Sequence, residues 1–279
     1  MALPQSFSRM INILRKIRLP FSAFGRLSSD AARNYDKSAA KSLKPGSKHY
    51  TAYVGPPSQY DYMGASQFNL LCSLGLREHH KLLDFGCGSL RAGRLLIPYL
   101  NSGNYYGVEP NFWLIDDAIE REIGRDLIDI KHPFFSNDES GYCLDLPDGI
   151  FDYILAQSIF SHTGKDLLIR ILMSFKKKMK MSGIIAATFI HAHEGEADFS
   201  GSGWIYPGCV RYNPASIKCL LREMGFYCQR LPWYHPRQIW YLVVLSPELL
   251  IPEKNLHLLK GAVFFNPDLS ESLKTRISE

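Results

Sequence analysis

The residues best suited to bind a small ligand lie in one short stretch, Leu82-Leu83-Asp84-Phe85-Gly86-Cys87-Gly88-Ser89. An apolar run ends there in an acid and two glycines one residue apart, and helix-compatible residues 92–100 follow. This pattern predicts a strand, a tight turn and a helix. In an open α/β sheet such a turn lies at the carboxyl end of a strand, where ligands bind, and glycines let the backbone approach them.

The spacing around the glycines excludes two common nucleotide sites. A dinucleotide fingerprint, G-x-G-x-x-G, requires a third glycine at position 91, where Arg91 stands. The phosphate-loop pattern G-x-x-x-x-G-K-[ST] does not occur in the sequence. The turn is therefore not typical of sites for NAD, FAD or a nucleoside triphosphate.

The stretch from Leu82 to Ser89 resembles the first motif of class I S-adenosylmethionine-dependent methyltransferases. Further segments resemble later parts of that family in the same order. Glu109, 21 residues after Gly88, occupies the position of the acid that binds the ribose hydroxyls. The other segments are residues 151–158 (fourth motif), 181–185 (turn into the fifth strand) and 213–226 (last helix), so that the resemblance covers about residues 64–246. Leu90 departs from the pattern, because the family often has glycine there.

The resemblance implies a fold, a cofactor and a set of binding residues. The implied fold is α/β and Rossmann-like, with a mostly parallel seven-stranded sheet, a C-terminal antiparallel hairpin and helices on both faces. The implied cofactor is S-adenosyl-L-methionine. Its expected binding residues are Asp84, Gly86, Cys87, Gly88, Glu109, Asn137, Asp138 and Gln157. For the adenine pocket, Tyr142, Cys143 and Leu144 are rival candidates, and ordinary loop polarity explains Asn137 and Asp138 equally well.

Methyl transfer would take place at the carboxyl end of the fourth strand. If the acceptor atom is an oxygen, a base assists, and His162 and then His191 are the candidates because imidazole titrates near neutrality. A structural role for either histidine is an open alternative. The acceptor pocket is expected to involve Ser158, Trp204, Tyr206 and Arg211, of which Arg211 could bind an anionic group. We expect no required metal, because the acids and histidines of residues 191–198 crowd into one loop.

The elements that must hold these residues alternate along the chain. Strands are predicted at residues 82–85, 105–109, 151–156, 183–190, 226–231 and 238–245, with a poorly marked one within 129–135. Helices are predicted at about residues 66–75, 92–100, 112–123, 166–180 and 213–224, and residues 53–62 are predicted to be a loop. We expect a basic arm at 1–50, a catalytic domain at 51–246 and a tail at 247–279.

Charge and cysteine usage limit the partners. Residues 1–50 contain ten basic and two acidic residues, whereas the remainder contains 22 basic and 25 acidic residues, so the globular part shows no nucleic-acid surface. An amphipathic basic helix from Phe7 could contact a partner or an anionic membrane, and it also resembles a transit peptide. Six scattered cysteines favour a reducing, cytoplasmic location. No run is long enough to span a bilayer.

The function expected from the sequence is methyl transfer to a small molecule or glycan, with oxygen as one candidate acceptor atom. One alternative is a protein or RNA methyltransferase. Another is a module that binds S-adenosylmethionine without catalysis.

Overall fold

The computed structural model describes residues 31–259 of the 279-residue chain. The chain divides into two compact units, Met1–Pro57 and Ser58–Glu279. The described part of the first unit contains a 3₁₀ turn at Ala39–Ser42 and a short helix, α1, at Tyr50–Tyr53. His49 caps α1, because its Nδ1 accepts a hydrogen bond from the Thr51 amide. The basic helix predicted near residue 7 lies outside the described residues.

The second unit is built on one seven-stranded sheet with the order β3-β2-β1-β4-β5-β7-β6. Strands β1 to β5 are parallel, whereas β7 runs antiparallel to both β5 and β6. The predicted sheet with its terminal hairpin is thereby confirmed. The strands are β1 Leu82–Phe85, β2 Tyr105–Val108, β3 Phe134–Ser136, β4 Phe151–Ala156, β5 Met179–Phe189, β6 Tyr227–Arg230 and β7 Ile239–Val244.

Helices precede, connect and follow the strands. They are α2 Tyr60–Ser73, α3 Gly93–Tyr99, α4 Phe112–Ala118, α5 Arg125–Lys131, α6 Lys165–Lys178, α7 Pro214–Glu223 and α8 Glu253–Leu256. A π-helical turn, Ile119–Ile123, continues α4, and 3₁₀ turns occupy Pro57–Gln59 and Pro247–Leu249. Within residues 31–259, no helix combines the length and hydropathy needed to cross a membrane.

Helices cover both faces of the sheet. Because successive strand residues point to opposite faces, neighbouring residues of one strand enter different cores. In β1, Leu83 and Phe85 join a core with apolar residues of α6 and α7. Leu82 joins a second core with residues of α2, α3 and α4. The near-continuous apolar character of the central strands follows from this arrangement, and it leaves the ends of the strands for polar side chains.

The element boundaries differ from the predicted ones in three places. Helix α2 begins at Tyr60, within the predicted loop, because the buried Tyr60 hydroxyl donates to the Ser89 carbonyl at 2.8 Å. Helix α5 was missed, and β3 follows it at Phe134–Ser136. Strand β5 begins at Met179, since Lys180 forms an ion pair with Asp152 on β4 at 2.7 Å.

Gly64 lets α2 approach the end of the glycine turn. A Cβ atom at this position would lie 2.5 Å from the Arg91 carbonyl oxygen. On the other side of the contact, Arg94 of α3 pairs with Asp61 of α2 at 2.7 Å. The helix is thus fixed against the turn by a close backbone contact and an ion pair.

We predict that Gly64→Ala lowers the free energy of unfolding by up to about 2 kcal/mol. Overpacking costs about 1–3 kcal/mol, and the gain in helix propensity of about 1 kcal/mol offsets only part of it. Urea unfolding measures the change. Asn69→Ala, at an exposed position of the same helix, is the matched control and should be neutral or slightly stabilising. Equal stability of the two variants would contradict the close contact.

Candidate active site at the carboxyl edge of the sheet

The glycine turn joins the end of β1 to the end of β2. The Gly86 and Cys87 amides both donate to the Val108 carbonyl, at 2.8 and 3.0 Å. Gly86 has φ +73°, and a Cβ atom there would lie 2.1 Å from Cδ1 of Ile159. Gly88 has φ +55°, which is also the left-handed region. The turn therefore needs glycine at position 86 for both conformation and space.

Asp84 is a buried carboxylate beneath this turn. Its Oδ2 accepts a hydrogen bond from the Tyr105 hydroxyl at 2.7 Å. Burial raises the pKa of Asp84 to about 6, although the Tyr105 hydrogen bond opposes the increase. The carboxylate is therefore mostly ionised at neutral pH, although its ionised form is less stable in the folded protein than in water.

Glu109, directly after β2, is brought into contact with the glycine turn. Its Oε2 accepts from the Gly88 amide at 3.2 Å, and its Oε1 accepts from the Asn111 amide at 2.8 Å and from Asn111 Nδ2 at 2.9 Å. An ionised carboxylate has about four acceptor positions. At least one therefore remains for a ligand hydroxyl. Sequence reasoning missed the positioning role of Asn111, although its spacing of two residues from an acid was visible.

Leu90 and Arg91 complete the turn. Leu90 is buried and has φ +51°, so this leucine adopts the left-handed conformation that glycine usually supplies. The half-buried Arg91 donates from Nε to Gln67 Oε1 at 3.2 Å. Burial lowers the pKa of Arg91 to about 10, against the opposing influence of Tyr60 and Asp84.

The adenine candidates lie in the segment after β3. Asn137 is exposed. The Asp138 carboxylate accepts from the Ser140 amide at 2.8 Å and from the Cys143 amide at 2.6 Å. Burial would raise the pKa of Asp138, but the hydrogen bonds from Ser140 and Cys143 outweigh it and lower the pKa. Asp138 thus organises its own loop, and its contact with adenine stays a prediction.

Gln157 and Ser158 follow β4 and are bonded to the connection between β6 and β7. The Gln157 amide lies 3.0 Å from Nε2 of His235, and Ser158 Oγ accepts from Gln238 Nε2 at 2.6 Å. The Ser158 amide also donates to Thr188 Oγ1 of β5 at 2.8 Å. Sequence reasoning missed His235 and Gln238, because no motif marks residues 232–238.

The hydrogen bonds of His235 determine the orientation of the Gln157 amide. Nδ1 of His235 accepts from the backbone amides of Arg237 and Gln238, at 3.1 and 3.0 Å, so Nε2 carries the proton. Gln157 must then present its carbonyl oxygen to Nε2. Its NH₂ group takes the buried position for which the described residues provide no hydrogen-bond partner.

His162 has the geometry of a base. Its Nδ1 lies 2.5 Å from the Gly208 carbonyl, which can only accept, so Nδ1 carries the proton and Nε2 has a free lone pair. Burial lowers the pKa of His162, the Gly208 hydrogen bond opposes this, and the charge of Arg237 adds to the decrease. The Tyr206 ring lies against the imidazole, with 5.2 Å between the ring centroids.

His191 lies elsewhere on the sheet edge. Its Nε2 bonds to the Tyr241 hydroxyl of β7 at 2.8 Å. Burial lowers the pKa of His191, with a further contribution from Arg230. Because the Tyr241 hydroxyl can donate or accept, this bond does not fix which ring nitrogen of His191 carries the proton, whereas the Gly208 carbonyl fixes the proton of His162 on Nδ1.

Residues 203–212, the segment predicted to contribute to the acceptor pocket, pack along the residues after β4. The Ile205 amide donates to the His162 carbonyl at 2.7 Å, and Trp204 Nε1 donates to the Glu139 carbonyl at 3.0 Å. Trp204 and Tyr206 are each 41% exposed, so both leave surface for a ligand. Arg211 forms an ion pair with Glu196 at 3.8 Å. Among residues 31–259, no three His, Cys, Asp or Glu side chains are grouped to hold a metal ion.

Comparisons with known proteins agree on the fold. No family model and no curated protein matches the sequence. Among solved structures, the DhpI–SAH complex is similar over 71% of this chain and 94% of its own, with 18% identity and a TM-score of 0.50. The CcbJ methyltransferase from Streptomyces caelestis is similar over 69% and 97%, with 15% identity and a TM-score of 0.51. The structure of mitomycin 7-O-methyltransferase MmcR is similar over 68% of this chain and 55% of its own, with 15% identity and a TM-score of 0.50.

The chain therefore has the class I methyltransferase fold. Its glycine turn, Asp84 and Glu109 occupy the carboxyl edge of β1 and β2, where open α/β sheets bind their ligands.

We predict that Asp84→Asn stabilises the protein at pH 8 by up to about 3 kcal/mol. The folded-state pKa of about 6 exceeds the unfolded value of 3.8, so ionisation of Asp84 destabilises the fold progressively as the pH rises from about 4 and fully above about 6. Urea unfolding of both proteins at pH 4 and pH 8 measures the difference, which should fall to about 0.5 kcal/mol at the lower pH. Asp116→Asn, at an exposed site on α4, controls for the lost charge. A pH-independent difference would contradict the assignment.

Proposed function

We propose that this protein is an S-adenosylmethionine-dependent methyltransferase that acts on a small-molecule or glycan acceptor, with a hydroxyl oxygen as the methylated atom. The observation that carries the proposal is the hydrogen bond from Gly88 to Glu109 above the buried Asp84. This bond brings together the glycine turn, the carboxylate of Glu109 and the buried carboxylate of Asp84 at the carboxyl edge of β1 and β2. A sulfonium nucleoside would use these groups for close backbone contact, for its ribose hydroxyls and for its ammonium group.

The residues at this edge suit such a cofactor. The absence of a side chain at Gly86 makes room for Ile159, whose Cδ1 lies 2.1 Å from where a Cβ atom would be. Gly88, which also has no side chain, would let a ligand chain pass close to the backbone. Asp84, ionised at neutral pH, would attract the ammonium group, and the remaining acceptor capacity of Glu109 would bind a ribose hydroxyl. When bound, the cofactor supplies an electrophilic methyl group. The protein's task is then to align the acceptor and exclude water.

His162 supports oxygen as the acceptor atom. The contact between Nδ1 and Gly208 leaves the lone pair on Nε2. Burial lowers the pKa of His162, which favours the neutral imidazole. Nε2 would take the proton of an acceptor hydroxyl. Trp204 and Tyr206, partly exposed in the neighbouring segment, would provide flat apolar walls for that acceptor. One of the similar structures is, by name, an O-methyltransferase.

Two alternatives remain distinct from this proposal. A methyltransferase of protein or RNA would bind the same cofactor but modify macromolecules in an extract. A non-catalytic binding module would bind it and transfer nothing. Cytoplasmic location, contact of the basic N-terminal segment with a membrane or partner, and the division into arm, catalytic domain and tail are also proposals.

We expect the full chain to bind S-adenosylmethionine in calorimetry, and Glu109→Ala to weaken binding about tenfold to a hundredfold. A charge-assisted hydrogen bond contributes about 1.5–3 kcal/mol, which gives this range. Glu120→Ala, at an exposed carboxylate, is the control and should bind normally. Absence of binding by the folded wild-type protein at millimolar ligand would refute the proposed function.

His162→Ala should slow methyl transfer by about a hundredfold or more without changing cofactor affinity, because loss of a general base costs about 10²–10⁴ in rate. Transfer of labelled methyl groups to a small-molecule fraction of cell extract measures the rate, and His191→Ala tests the rival base. Since burial lowers the pKa of His162, the acidic limb of the wild-type kcat/KM profile should lie below pH 6.5. A limb above that value, or a larger effect of His191→Ala, would reverse the assignment.

A further inference from the structure

The connection between β6 and β7 contains a turn at residues 235–238 that is held by side-chain hydrogen bonds. His235 and Gln238 are buried, and Nδ1 of His235 accepts the backbone amides of both Arg237 and Gln238. Gln238 Nε2 then donates to Ser158 Oγ at 2.6 Å. These bonds fix the turn to the residues that follow β4, which is the acceptor side of the edge.

Arg237 is the exposed residue of this turn. Its side chain forms no hydrogen bond or ion pair within residues 31–259, although its backbone is held by His235. Most surface arginines are solvated and have no ligand. This one differs because a rigid, buried network fixes its backbone beside Ser158, so little conformational freedom of the main chain is lost when the guanidinium binds a ligand.

The charge of Arg237 reaches the two functional regions on either side. It lowers the pKa of Arg91 at the glycine turn and of His162 at the acceptor side. An anion placed beside Arg237 would relieve both effects. Arg211, the arginine that the sequence indicated for this task, is instead paired with Glu196.

We infer that Arg237 binds an oxyanion group, carboxylate or phosphate, of the methyl acceptor. Its planar guanidinium can donate two parallel hydrogen bonds to such a group. This inference rests on the proposed function, because the anionic group belongs to the compound that accepts the methyl group. The acceptor class is then a hydroxylated compound that carries an anionic group within reach of both Arg237 and His162.

The test uses the full chain saturated with S-adenosylhomocysteine and three probes, benzoate, phenyl phosphate and benzamide. Binding is followed through the His162 imidazole resonance in NMR titrations. We expect at least one anion to shift the resonance saturably and to raise the pKa of His162, whereas the neutral benzamide does neither. Arg237→Gln should weaken anion binding at least tenfold, and Arg211→Gln, the matched control, less than threefold.

Each other outcome overturns the inference. Failure of both anions to bind at about 100 mM would show that the site has no useful affinity. Equal binding by wild type and Arg237→Gln would place the anion elsewhere. Anion binding to the unloaded protein that disappears with S-adenosylhomocysteine would assign Arg237 to the cofactor carboxylate. Cofactor calorimetry, run separately, reports failure of the proposed function itself.

Discussion

The carboxylate of Asp84 is held among buried side chains at the end of β1, and the neighbouring features depend on keeping it there. Tyr105 of β2 donates to it, and the glycine turn passes over it with its amides bonded to Val108. Burial raises its pKa to about 6, so the ionised form is less stable here than in water. A cationic ligand would lower that cost. The site is thus arranged to gain stability when a positive group arrives.

A second network organises the residues that follow β4. Buried amides of Gln157 and Gln238, together with His235, connect the ends of β4 and β7 across the sheet edge. The antiparallel β7 places its start beside the ends of the parallel strands, since it runs against β5. The terminal hairpin therefore does more than complete the sheet, because it brings the 235–238 turn to the edge where the parallel strands end.

The sequence allowed the fold and part of the site to be predicted, for physical reasons that differ between residues. Gly86, Gly88 and Glu109 were recognisable because their local conformation and spacing are tied to a turn between adjacent strands. Tyr105 and His235 were not, because they act through contacts with residues far away in the chain, Tyr105 with Asp84 and His235 with Gln157. Helix α2 began earlier than predicted for the same reason, since Tyr60 is stabilised by Ser89. The position of Leu90 was predicted as a departure, but its left-handed backbone required the structure.

If His162 is the base, as proposed, its bond with Gly208 would link the choice of acceptor to proton transfer. Gly208 belongs to the same segment as Trp204 and Tyr206, so the loop that would line the proposed acceptor pocket also fixes which imidazole nitrogen is protonated. A compound that displaces this loop would therefore misalign the base at the moment it enters. Discrimination between acceptors would then depend on the rate of reaction as well as on affinity. Attempts to redirect the protein to new acceptors should vary the aromatic side chains while preserving the backbone at Gly208.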